Sequence, residues 1–119
     1  MKSEQFDIIV ASRELAITTV LSSKATEYAQ GGDRLYNFKE GAEEARQTPK
    51  AYLWSLATKH LTNVRDLAHD RLANTEYLAN EKIGDFINYL ILLEAMLQEE
   101  REIAAADAEK FINSDMIED

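Results

Sequence analysis

The longest apolar run in the chain lies in EKIGDFINYLILLEAML (81–97), where almost every position from Phe86 to Leu97 is hydrophobic. Elsewhere apolar residues recur at helical spacing. Residues 4–29 place Ile17, Val20, Leu21, Lys24 and Tyr28 along one face, which predicts a first helix. FDIIV (6–10) also suits a short strand, but nothing nearby offers it a partner. QGGD (30–33) breaks the pattern with two glycines able to take positive φ, and a short second helix is expected over about 34–46.

Thr48-Pro49 is a start signal, an N-cap hydroxyl followed by proline at the first helical position. The third helix, 49 to about 71, repeats Leu53, Ala57, His60, Val64 and Leu67 on one stripe. Asn74 is placed to cap a fourth helix that runs at least to Leu97. The pattern predicts an all-α bundle of about four helices with the apolar C-terminal helix at its centre. Its expected core is Leu53, Leu61, Val64, Phe86, Leu90, Leu93 and Leu97. A helix apolar on nearly every side has more surface than three neighbours cover, so a homo-oligomer is expected too.

Three stripes carry polar residues where packing favours apolar ones. Glu81, Asp85 and Asn88 are spaced i, i+4, i+7 and share a face of the fourth helix. His60 stands between Ala57 and Val64 with Lys59 beside it, and Lys24 and Tyr28 continue the first helix's face with Glu27 alongside. Buried polar groups need partners, water or a ligand. The ordinary readings are a satisfied core histidine and a solvated acidic face; three such stripes converging in one bundle also fit a shared polar pocket. Gly84 adds to this, because an interior helix glycine costs about 1 kcal/mol against alanine and implies close approach of a backbone or ligand. Glu40, Glu43 and Glu44 have a spacing that suits Mg²⁺, although three glutamates on a short helix more commonly form a solvated face.

Composition narrows the function classes. At 119 residues the chain is one domain, divided here into a helical body (1–97) and an acidic helical extension or tail (98–119). The net charge of −9 is concentrated in that tail, which holds eight acidic and two basic residues. The near-neutral body lacks the basic stripe that binding to a nucleic-acid backbone requires. Without cysteine there is no disulfide framework, thiolate zinc site or thiol nucleophile. The start is a poor signal peptide, no stretch reaches the ~20 apolar residues of a membrane span, and a cytoplasmic protein is expected. GGD is too short for a phosphate-cradling loop, and no nucleophile elbow is present.

KATEYAQGGDRLYNF (24–38), TPKAYLWSLATKHL (48–61) and EKIGDFINYLILLEAML (81–97) together resemble the nucleotide-modification-associated domain family of small phage and prophage proteins. The resemblance spans about residues 15–97 and rests on Lys24, Glu27-Tyr28, Asp33, Asn37-Phe38, Lys59-His60, Asp85 and Asn88-Tyr89. More distantly, EKIGDFINYL is similar to the carboxylate helix of MazG-like all-α nucleoside triphosphate pyrophosphatases, which hold Mg²⁺ with an E-x-x-E and an E-x-x-D helix. Asp85 matches the last position of that motif. Three residues earlier stands Lys82, with Glu81 four before, and the first helix has no glutamate pair unless Glu40 and Glu43 substitute from a different helix.

The resemblance implies a nucleotide or other phosphate-bearing ligand. Glu81 and Asp85 would meet a metal (Mg²⁺) or ribose, Asn88 a base edge or hydroxyl, and Lys24 and Lys59 phosphate, with Glu27 and Tyr28 lining the ligand. His60 would be a positioned acid/base or a hydrogen-bond donor, and His60 and Asp85 the catalytic residues where the ligand is hydrolysed in a pyrophosphatase-like reaction and not only presented for modification. The alternative is a non-catalytic interaction protein, such as a host-defence inhibitor or oligomeric adaptor, whose outer faces matter more than any pocket.

Overall fold

The computed structural model describes residues 1–23 and 32–118, with side chains up to residue 114. It is all-α: α1 (Ser3–Ser23), α2 (Tyr36–Ala45), α3 (Pro49–Ala68) and α4 (Glu76–Glu118), with no strand among the described residues. The expected continuation of the first helix to residue 29 lies outside them.

Local chemistry sets the boundaries. Thr48 Oγ1 accepts a hydrogen bond from the Ala51 N–H at 3.3 Å and Pro49 opens α3 as expected. Arg46 ends α2 in the left-handed region, φ 56°, and its N–H returns to the carbonyls of Ala42 and Glu43. Asp70 takes φ 58° just beyond α3. The cap of α4 is Thr75, whose Oγ1 accepts from the Leu78 N–H at 3.1 Å. Asn74 stands one residue too early for that role, because the helix starts at Glu76.

The helices α3 and α4 form the main contact and run antiparallel. Lys50 Nζ meets Glu100 at 2.8 Å at one end, and His60 faces Asp85 at the other. The stripe of α4 that faces α3 is Asp85, Tyr89, Leu92 and Met96. Leu35, Phe38, Leu53 and Met96 form the buried cluster where α2, α3 and α4 meet, with Tyr89, Leu92 and Leu93 packed against it. Phe38 meets the Tyr89 ring edge-on at 6.4 Å. Gly41 lets α2 lie close on α3, because a Cβ there would sit 2.6 Å from the Tyr52 hydroxyl. Lys39 bridges Asp33 and Glu99, each at 2.7 Å, and ties the start of α2 to α4. In contrast, α4 is the one helix that α1 packs against among the described residues, the Leu21 carbonyl accepts from Arg34 at 2.8 Å, and α1 buries no residue fully.

The core differs from the expected one. Leu53 is buried and Val64, Phe86 and Leu93 are half-buried, but Leu61, Leu90 and Leu97 are 40%, 42% and 38% exposed. At 100° per residue, Ile83, Leu90 and Leu97 stand about a quarter-turn or more away from the stripe facing α3. The core instead draws on Leu35, Phe38 and Ala42, an i, i+3, i+7 set from the short α2. Beyond residue 98, α4 continues as one helix that is almost entirely exposed. No described helix is long and apolar enough to cross a membrane.

Candidate functional site

Asp85 and Asn88 leave α4 on the side between α3 and α1, and a cleft opens there. Its larger part, ≈ 630 Å³, lies between α1 and the first turns of α4, where Arg13, Asn80, Glu81, Gly84, Asp85 and Asn88 supply most of the polar lining. A smaller adjoining part, ≈ 260 Å³, reaches inward to Lys59, His60 and Tyr89. Asp85, Asn88 and Val20 line both parts. Of the residues singled out in the sequence, the structure brings together Lys59, His60, Glu81, Asp85 and Asn88. Lys24, Glu27 and Tyr28 lie outside the described residues.

His60 is 9% exposed, and its ring lies 4.6 Å from that of Tyr89, tilted by 31°. Its Nδ1 and the Oδ1 of Asn88 are both buried without a hydrogen-bond partner. Asp85 Oδ2 comes within 3.8 Å of His60 Nδ1, an ion-pair distance too long for a hydrogen bond. The Asp85 side chain is itself 45% exposed, so it sits at the cleft mouth and is not the buried carboxylate its apolar neighbours suggested. Burial pushes the His60 pKa below its ordinary value; Asp85 opposes this, and Lys59 and Lys82 reinforce it. The imidazole is therefore neutral near pH 7, and Nδ1 can donate or accept according to tautomer.

That depression has a measurable consequence. In the unfolded chain His60 protonates near pH 6.5, whereas in the folded protein it takes up a proton only at lower pH. The unfolded state thus binds more protons in between, and stability falls as pH drops from about 6.5 through the folded pKa. His60→Phe should flatten this slope in denaturant titrations between pH 7 and pH 5. An unchanged slope would assign the proton uptake to another group.

Glu81 accepts from Lys82 Nζ at 3.0 Å. Its pKa is lowered first by the Tyr77 hydroxyl bonded to it and then by Lys82. No group of three or more His, Asp or Glu side chains among the described residues could hold a metal ion. Glu81 and Asp85 offer two carboxylates, so a Mg²⁺ ion there would need phosphate oxygens and water to complete its shell. Glu40 accepts from the Tyr36 hydroxyl at 2.8 Å, and Glu40, Glu43 and Glu44 form an exposed acidic face.

Two cleft residues had no place in the sequence expectation. Arg13, half-buried on α1, donates to the Asn80 carbonyl at 3.3 Å and to Asn80 Oδ1 at 3.4 Å. Its guanidinium also explains Gly84: a Cβ there would lie 2.7 Å from Arg13 Nη1. What approaches that glycine is a side chain of α1, where a backbone or ligand was expected. Arg13 was discoverable by the logic applied to the other helices, since it interrupts an apolar stripe of Ile9, Ala16, Ile17 and Val20. Compared with known protein families, curated proteins and solved structures, the chain matches none.

Proposed function

We propose that the cleft binds a nucleotide or a closely related phosphate-bearing small molecule, the ligand class implied by the resemblance to nucleotide-modification-associated proteins. The observation that carries this reading is the pair of unpartnered buried atoms, His60 Nδ1 and Asn88 Oδ1, beside one cleft. Burying a donor or acceptor without a partner costs ~1–3 kcal/mol, and a ligand that bonds both atoms removes that penalty. Arg13 offers donors that Asn80 does not use, and Lys59 adds a second cation at the inner part; both suit phosphate oxygens. Asp85 at the mouth suits a ribose hydroxyl. Neutral His60 with Asp85 3.8 Å away has the composition of an acid/base pair, and a pyrophosphatase-like reaction is the chemistry we assign if turnover occurs.

A thermal-shift panel of ribo- and deoxyribonucleotides, with and without Mg²⁺, tests the proposal. A ligand at a hundred times its Kd should stabilise the fold by ~2.7 kcal/mol. Arg13→Ala and Asn88→Leu should each reduce the shift. A panel in which no nucleotide raises the melting temperature would overturn the reading in favour of a non-catalytic interaction protein, which the exposed apolar surfaces of α1 and α4 independently favour.

A further inference from the structure

The helix α4 presents three sides, and among the described residues two of them are covered. One meets α3 and α2 through Tyr89, Leu92 and Met96, and another meets α1 at Asn80 and Gly84. On the third stand Ile83, Leu90 and Leu97, 39%, 42% and 38% exposed, at intervals of seven residues. Seven residues of a helix return to nearly the same angle, so these three form one straight stripe. Because α3 runs antiparallel to α4, Trp54 and Leu61 project to that same side: each lies about a quarter-turn from the α3 stripe that faces α4. Trp54 and Leu61 are 44% and 40% exposed. The bond between Lys50 and Glu100 and the approach of His60 to Asp85 and Tyr89 set the levels, with Trp54 between Leu90 and Leu97 and Leu61 between Ile83 and Leu90. The result is a continuous apolar face across two helices, opposite the cleft side.

We propose that this face seats a second copy of the same chain, the two α4 helices packing antiparallel about a twofold axis at Leu90. Surface area argues for an occupant of this size. The chain exposes 8958 Å², whereas a compact protein of its 13.5 kDa mass exposes roughly 6,500 Å². Part of the excess belongs to the free lengths of α1 and α4, yet its size matches what one protomer of an obligate dimer covers. The stripe is self-complementary in that arrangement: Leu90 meets Leu90, and Ile83 meets Leu97 of the other copy, as an isologous contact requires. Charge selects the antiparallel sense. Residues 98–119 carry eight acidic and two basic residues, and a parallel pair would lay two such tails side by side.

The full-length chain should sediment as a dimer of about twice 13.5 kDa at micromolar concentration. Leu90→Asp should weaken association at least a hundredfold while the helical circular-dichroism spectrum persists. Should that variant fail to fold, crosslinking decides, because the chain has no cysteine of its own. Leu90→Cys should oxidise to a covalent dimer. Mixed Ile83→Cys and Leu97→Cys chains should join as heterodimers in preference to either homodimer, and Ile103→Cys, off the stripe, should form no covalent dimer under the same oxidant. A wild-type monomer would overturn the proposal and leave the face to a different protein. A dimer indifferent to Leu90→Asp, or one in which Ile83→Cys joins chiefly to itself, would overturn the face or the antiparallel sense. None of these outcomes depends on nucleotide binding.

Discussion

Leu53→Ala should destabilise the protein by ~2–5 kcal/mol, the usual range for truncating a large residue in a packed core. At 1% exposure, Leu53 is the largest fully buried side chain, and it lies where α2, α3 and α4 meet. Removing its branched end leaves Leu35 and Phe38, from the start of α2, and Met96 of α4 around a void that these two helices cannot both close. Urea or thermal unfolding checks this. Ile103→Ala is the matched control, because Ile103 is 55% exposed on the free length of α4 and should lose less than ~0.5 kcal/mol. Equal losses in the two variants would show that the stabilising contacts lie elsewhere than at this junction.

How far the chain could be read without its structure depended on whether each helix has a phase. In α3 polar and apolar residues alternate at clear helical spacing, and Leu53, Ala57 and His60 proved to be its buried residues. Thr48-Pro49 carries its capping mechanism in two residues, so the start of α3 was legible as well. The helix α4 is apolar around its circumference over 86–97, and no stripe there announces which side meets α3. Leu90 and Leu97 were therefore assigned to the core, while Met96, one residue away, is the side chain at 6% exposure. Tertiary contact alone supplies that phase. The same reason hid Arg13. With Phe6, Ile8, Ile9, Val10 and Leu15 pointing several ways, α1 has no polar face, and only its docking on α4 selects Arg13 for the cleft.

The candidate site was more legible than the core because it breaks the packing rule at three points. Asp85 and Asn88 interrupt an apolar helix and His60 an apolar stripe, and all three line one cleft. What the sequence could not convey was depth. Whether a polar residue on a stripe is sealed or wet depends on how closely the neighbouring helix approaches, and α1 approaches α4 loosely. Asp85 thus remains half in solvent while Nδ1 of His60 and Oδ1 of Asn88 are enclosed.

That contrast leads to the sharpest expectation for the site: His60→Phe combined with Asn88→Leu should raise stability by ~1–3 kcal/mol while abolishing any nucleotide-induced thermal shift. Each wild-type side chain holds a buried atom without a hydrogen bond, a penalty of ~1–3 kcal/mol that disappears when the atom is removed. Phenylalanine keeps a ring to stack on Tyr89, and leucine at 88 extends into an open cleft, so neither replacement must overpack the core. Groups retained at the expense of stability are the signature of a binding site, because a residue serving only the fold would be more costly to lose than to keep. Asp85→Asn separates charge from shape in the same cleft. It keeps the side chain's outline, removes the carboxylate within 3.8 Å of His60, and should weaken ligand binding with little change in melting temperature. Urea titrations of the double variant at pH 7, with and without the best nucleotide of the panel, decide the matter. A loss of more than 1 kcal/mol would mean that Nδ1 and Oδ1 are bonded in solution and that the pair belongs to the architecture, leaving the cleft without its strongest claim to a ligand.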